Sequence, residues 1–211
     1  MQEEEFLKLK NGTDVRGTAI AADIAPGPLD RARRTAAGHE LAERIDLRLG
    51  DGLTVLAPGE ADTIVIAGMG GDNIAAILAA APWTRAGPVL LLQPMSRAEV
   101  LRRWLPENGY AVRAERLVLD KGILYPILSV SGGAMPPASE AQAWGGFLLE
   151  EDPLWEDYLA QQTARLRRAA DGLSQAKDPA LAGKREALLS AAAEMERRAG
   201  DAHSKRSRTG P

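Results

Sequence analysis

Ala61-Asp-Thr-Ile-Val-Ile-Ala-Gly-Met-Gly-Gly-Asp-Asn-Ile-Ala-Ala-Ile-Leu78 is the stretch on which the fold turns. Thr63 to Ile66 is a short apolar run rich in β-branched residues. It reads as a strand buried on both faces, interior to a parallel sheet. Gly68-Met-Gly-Gly71 follows at once, and Asp72 or Asn73 is placed to N-cap a helix. Ile74, Ile77 and Leu78 of that helix fall at helical spacing. Strand, glycine loop, helix is how an open α/β sheet holds a ligand, in the crevice at the carboxyl ends of its strands. Glycines let the backbone approach a flat ring or a phosphate closely. The same residues also suit a plain tight turn, because an isolated Gly-x-Gly-Gly is a weak signal.

Upstream of this stretch, Thr18 to Ala22 and Ile45 to Leu49 read as strands, ending on Asp23 and on Gly50-Asp51-Gly52. Pro26-Gly-Pro28 punctuates between them, and Leu29 to Ala37 reads as a basic helix stopped by Gly38. Glu3 to Leu9 reads as a helix end closed by Asn11-Gly12. Downstream, Val89 to Leu92 is another apolar strand, ending in Gln93-Pro94. Arg97 to Leu105 is an amphipathic helix, with Val100, Leu101, Trp104 and Leu105 on one face. Tyr110 to Leu119 and Ile123 to Val130 read as two strands joined near Asp120-Lys121-Gly122, an antiparallel pair at a sheet edge.

Residues 1–131 are therefore expected to form an α/β sheet domain, and residues 132–150, with Gly132-Gly133 and Pro136-Pro137, a linker. Residues 151–200 are helical in pattern. Trp155, Leu159, Gln162, Leu166, Ala169 and Leu173 alternate steps of four and three, a coiled-coil seam with one polar member. Asp178-Pro179 breaks it, and Leu181, Leu188 and Met195 repeat every seven residues. Two such helices make an antiparallel hairpin, read as an element separate from the sheet. Residues 201–211, with Lys205, Arg206 and Arg208, are expected to be a disordered basic tail.

The 211 residues are enough for one α/β domain plus an appendage, and at 45% hydrophobic they can bury a core. There is no cysteine, which removes disulfides, thiolate metal ligands and a cysteine nucleophile. Imidazole can come only from His39 and His203, so no metal site is expected. No apolar run approaches the roughly 20 residues needed to span a bilayer. The N-terminal Met-Gln-Glu-Glu-Glu does not look like a signal peptide, and a cytoplasmic protein is the expectation. The net charge of −3 does not advertise nucleic-acid binding, so any such surface is a local patch. Candidate phosphate contacts are Arg31, Arg33 and Arg34; Arg97, Arg102 and Arg103; and Arg165, Arg167 and Arg168. Each set reads more readily as a solvated helix face.

Two carboxylates stand at strand ends, Asp23 and Asp51. In a doubly wound sheet an acid after the second strand receives ribose hydroxyls, since a carboxylate accepts two hydrogen bonds at once. An acid after the next strand, flanked by glycine, can meet an adenine amino group edge-on. Together with Gly68 to Gly71 the pair suits an adenosine-containing cofactor. Taken singly, each aspartate also suits an ordinary turn.

Ala-Ile-Ala-Ala-Asp23, Arg-Leu-Gly-Asp-Gly-Leu53, Glu-Ala-Asp-Thr-Ile-Val-Ile-Ala-Gly-Met-Gly-Gly71, Leu-Gln-Pro94, Leu-Arg-Arg-Trp-Leu105 and Asn-Gly-Tyr110 occur in this order. In order and spacing they resemble the bacterial tRNA adenine-N1 methyltransferases that modify position 22. The likeness runs from about Asn11 to Val130, and the helical hairpin resembles that family's C-terminal coiled-coil domain. The resemblance implies a Rossmann-like class I methyltransferase sheet, S-adenosylmethionine as cofactor and tRNA as partner. It implies that Asp23 binds the ribose and that Asp51 and Gly52 flank the adenine. Ala67, Gly68, Met69, Gly70 and Gly71 would face the methionine part and the entering base. The resemblance assigns no residue here as general base.

That family opens with a strand and a loop, Asp-x-Gly-(Ser/Thr)-Asp-His, ahead of the residues matching Asn11, and this sequence does not contain them. The expectation is a sheet lacking its first strand, with the strands at 18–22 and 63–67 either pairing directly or left open. Cofactor binding and turnover are expected to be weak in consequence. Two other readings compete. One is a non-catalytic RNA-binding or scaffold protein derived from such an enzyme, which a measured cofactor affinity would separate. The other is a nicotinamide oxidoreductase, disfavoured because no Gly-x-Gly-x-x-Gly follows a first strand.

Overall fold

The structure is a computed structural model that describes residues 18–173 and 179–208. The expected helix end at Glu3–Leu9 and the last three residues of the tail lie outside the described residues. In chain order the strands are β1 (Ala19–Asp23), β2 (Ile45–Leu49), β3 (Thr63–Gly70), β4 (Val89–Ser96), β5 (Tyr110–Asp120) and β6 (Ile123–Gly132). The helices are α1 (Pro26–Gly38), α2 (Gly71–Ala80), α3 (Ala98–Glu107), α4 (Glu140–Gly145), α5 (Trp155–Gly172) and α6 (Pro179–Arg208). Helix α1 starts at Pro26, earlier than the sequence suggests, because proline in the first turn has no intrahelical N–H to lose.

The described strands form two sheets. β1 and β2 pair in parallel, Ala19 opposite Ile45 through Asp23 opposite Leu49. The second sheet runs β3-β4-β6-β5, with β3 and β4 parallel and β6 antiparallel to both its neighbours. Among the described residues no pairing joins β1 to β3. The expectation that β3 is interior and covered on both faces is corrected here. β3 is an edge of its sheet; Ile64 and Ile66 are 6% exposed, but Val65 between them is 63% exposed. Only the face toward α2 is sealed. Ile64 and Ile66 share a core there with Ile74, Leu78, Leu90 and Leu101. The antiparallel pair closes as expected around Lys121 and Gly122, both at positive φ, and β5 forms the far edge.

The hairpin is less separate than its sequence suggests. α5 and α6 bury Trp155, Tyr158, Leu159, Leu166, Leu188 and Met195, and the same cluster takes in Leu117 of β5 and Leu124 of β6. The seam uses Ala170 rather than Ala169, which faces solvent. The stretch read as a linker contains α4, opened by a capping box in which Ser139 and Gln142 bond reciprocally. α6 continues to Arg208, so residues 201–208 are helical where a disordered tail is expected. Between sheet and hairpin lies a buried ion pair. Arg102 Nε donates to Glu115 Oε1 at 2.8 Å, both side chains fully buried. Arg102 Nη1 donates to the Ala143 carbonyl and to the Tyr158 hydroxyl, while Glu115 Oε2 accepts from the Phe147 and Leu148 N–H groups. Burial works against the Arg102 charge, but Glu115 and Tyr158 outweigh it and hold its pKa above the usual range.

Candidate functional site

β1 and β2 end side by side, with the Asp23 carbonyl accepting from Gly50 N–H at 3.0 Å. Asp23 Oδ1 accepts from Ala25 N–H at 2.8 Å, so one carboxylate oxygen holds the turn into α1. Its other oxygen has no protein partner among the described residues. Asp51 stands just before a short 3-10 helix, Gly52–Val55. Its carbonyl accepts from Thr54 N–H and Oγ1, while its carboxylate makes no capping bond. Gly52 has φ +54°, and a Cβ built there lies 3.1 Å from the Ile77 side chain of α2. Leu53 is buried in the main core. The turn after β2 is thereby seated against the helix that follows the glycine loop.

Arg48 of β2 secures the segment beyond. Its Nη1 donates to the Val55 carbonyl at 2.7 Å and to Glu60 Oε2 at 2.8 Å. Hydrogen bonds from Arg48 and from Ala57 N–H hold the Glu60 carboxyl down at about 2.

The glycine loop is the carboxyl end of β3 itself. The ladder to β4 runs regularly to Ala67 opposite Gln93, then skips Gly68 and resumes with Met69 opposite Pro94 and Gly70 opposite Ser96. Such a bulge bends a strand and re-aims what it carries, and bulges gather beside active sites. Gly68 has φ +79°, and nothing lies within 4 Å of where its Cβ would stand. Met69 is 42% exposed, so it is not a core residue. Gly70, not Asp72 or Asn73, occupies the N-cap of α2. Asp72 instead lies in the first helical turn, where its charge suits the helix dipole, and accepts from Arg97 Nη1 at 2.8 Å.

At the end of β4, Gln93 and Arg97 make contacts with the glycine loop and α2 that the sequence does not predict. Gln93 Oε1 accepts from Gly68 N–H at 2.9 Å. Arg97 is held at φ +56°, and its carbonyl lies 2.2 Å from a Cβ built on Gly71. Gly71 is thus required by the close crossing of α2 and α3. The available signals were Gln93-Pro94 at a strand end and an arginine beside a helix start, neither of which reports a contact across the sheet. Asp23, Asp51, Gly52 and Ala67 to Gly71 all lie at carboxyl ends of parallel strands. The arrangement offers carboxylate oxygens free to accept, and backbone open to a flat group. That donor and acceptor set fits an adenosine with ribose hydroxyls and an exocyclic amine. Of the arginines, Arg102 is buried, Arg103 pairs with Glu140 and Arg167 pairs with Glu196. Trp104 stacks on Tyr110 at 5.6 Å and is packing.

The family model described as tRNA (adenine(22)-N(1))-methyltransferase matches residues 9–195. The tRNA (adenine(22)-N(1))-methyltransferase of Bacillus subtilis (strain 168) is 37% identical over 145 residues, 68% of this chain. That match spans 59% of the length of the relative. The crystal structure of the B. subtilis M1A22 tRNA methyltransferase is similar with a TM-score of 0.70 and 30% identity, covering 88% of this chain and 81% of the other. A structure of Streptococcus pneumoniae Sp1610 in complex with S-adenosyl-L-methionine is similar at 0.70 and 28% identity, covering 89% and 86%. With a bulged glycine loop ending β3, strand-end acids after β1 and β2, and a family model that matches most of its length, this protein is a member of the tRNA (adenine(22)-N(1))-methyltransferase family.

Proposed function

We propose that this chain transfers a methyl group from S-adenosylmethionine to N1 of an adenine at position 22 of tRNA. The observation that supports the reading is an aspartate at or just after the carboxyl end of each strand of the β1-β2 sheet, together with an open glycine bulge at the carboxyl end of β3, with Gly52 seated against the helix that follows the bulge. Asp23 would accept from the ribose hydroxyls with the oxygen that the turn leaves open. Asp51 and Gly52 would flank the adenine, and Ala67 to Gly71 would face the methionine part and the entering base. The cofactor supplies an electrophilic methyl on a sulfonium. The chain's own contribution is proximity and orientation, with the glycine backbone allowing a flat base close to the edge. The target base has to leave its helix to arrive there. Arg31, Arg33 and Arg34 on α1 and Arg165 and Arg168 on α5 are exposed and suit phosphate contacts. Such a substrate places the work in the cytoplasm.

The test is titration calorimetry with S-adenosylhomocysteine, beside methyl transfer to unmodified tRNA. Asp51→Ala removes charged acceptors worth about 1.5–3 kcal/mol, so its affinity should fall about ten- to hundredfold. Unchanged affinity in that variant, or no binding by the wild type, rejects the assignment.

A further inference from the structure

β4 pairs with β3 on both sides of the bulge but leaves Gly68 itself without a ladder partner. Gly68 is skipped in the register between Ala67–Gln93 and Met69–Pro94. Skipped by the ladder, the Gly68 N–H is a donor that pairs with no β4 carbonyl. The Gly68 N–H turns instead to the side chain of Gln93, 2.9 Å away. A donor there requires the carboxamide oxygen as acceptor, which fixes the orientation of the amide. Gly68 itself sits at φ +79°, with open space where a side chain would stand. Gln93 is half-buried and Pro94 buried, so the clasp stands on the firm part of β4 while Gly68 and Met69 stand clear.

Resting on the reading that this loop faces the methyl donor and the entering base, we propose that Gln93 is a positioning residue. Its Oε1 replaces the ladder partner that the bulge loses and holds the loop in the geometry required for transfer. The role belongs to the acceptor oxygen, not to the amide as a substrate contact. Gln93→Glu keeps an acceptor at the same reach; Gln93→Met keeps the length and loses it.

Three readouts on the full chain decide the matter: hydrogen exchange at the Gly68 amide by NMR, S-adenosylhomocysteine binding by calorimetry, and steady-state methyl transfer to tRNA. In Gln93→Met the Gly68 amide should exchange about tenfold faster or more. Its kcat should fall about ten- to hundredfold while the KM for tRNA stays within about twofold, since a small misplacement costs rate more than binding. Gln93→Glu should stay within about threefold of wild type on both exchange and kcat. A Gln93→Met protein with native exchange and native kcat overturns the proposal. So does a Gln93→Glu protein that loses as much as Gln93→Met, because the amide donor would then carry the role. Wild type that neither binds S-adenosylhomocysteine nor methylates tRNA overturns the functional reading itself, and the role of Gln93 in transfer with it.

Discussion

Replacing Arg102 with methionine should be among the most damaging single changes in this protein. The guanidinium is fully buried, bonds Glu115 at 2.8 Å, and reaches the Ala143 carbonyl at 3.0 Å and the Tyr158 hydroxyl at 3.2 Å. Methionine fills much of the space but leaves the Glu115 carboxylate buried with only the Phe147 and Leu148 N–H groups as partners. Breaking one side of a buried pair costs about 3–5 kcal/mol. The pair is not faultless, since Arg102 Nη2 has no hydrogen-bond partner, which places the expectation near the lower end. With a urea slope of about 2 kcal/mol per molar, the unfolding midpoint should drop by about 1.5–2 M. The double variant Arg102→Met, Glu115→Leu removes both charges and leaves only neutral groups without these partners, the Phe147 and Leu148 amides, the Ala143 carbonyl and the Tyr158 hydroxyl, so it should lose at least about 2 kcal/mol less than the sum of the singles. The assay is urea unfolding followed by circular dichroism and tryptophan fluorescence, the latter sensing Trp155 in the hairpin core. A single variant within about 1 kcal/mol of wild type, or a strictly additive double, would refute the reasoning.

Three further outcomes follow from particular contacts. Glu60 is held at about 2 against an ordinary 4.5, so its contribution is present above about pH 4.5 and is lost as pH falls toward 2; the melting temperatures of wild type and Glu60→Gln should differ at pH 6 and converge near pH 2, and a gap that persists at pH 2 contradicts this. Gly71→Ala places a methyl 2.2 Å from the Arg97 carbonyl oxygen, so α2 and α3 must part and stability should fall by about 1–3 kcal/mol, read by thermal melting; a neutral result would mean that the crossing yields freely. Truncation after residue 150 uncovers Leu117 and Leu124 and strips Tyr158 from Arg102, so the remaining sheet should aggregate or unfold; a soluble fragment melting cooperatively would restore the hairpin as a separate unit.

The sequence by itself determined the local elements and the chemistry of the edge. The β-branched run at 63–66 and the apolar run at 89–92 mark strands because such side chains suit a pleated, covered surface, and Gly52 and Gly68 mark places where the backbone takes the positive φ that glycine favours. Spacing along one chain reports each of these directly. The tertiary structure alone decided which strands are neighbours and which faces stay open. Val65 reads as buried in an apolar run, yet it is exposed, because coverage depends on what packs above a strand and not on the strand's own residues. Arg102 reads as one of a basic trio on an amphipathic helix, yet it is buried against Glu115 and the hairpin, since a contact 13 and 56 residues away leaves no periodic trace. Gln93 reads as the end of a strand, and only the skipped register of β3 makes its side chain the partner of Gly68. Local periodicity carries local backbone preference; the long-range pairing of single polar side chains has no period to be read.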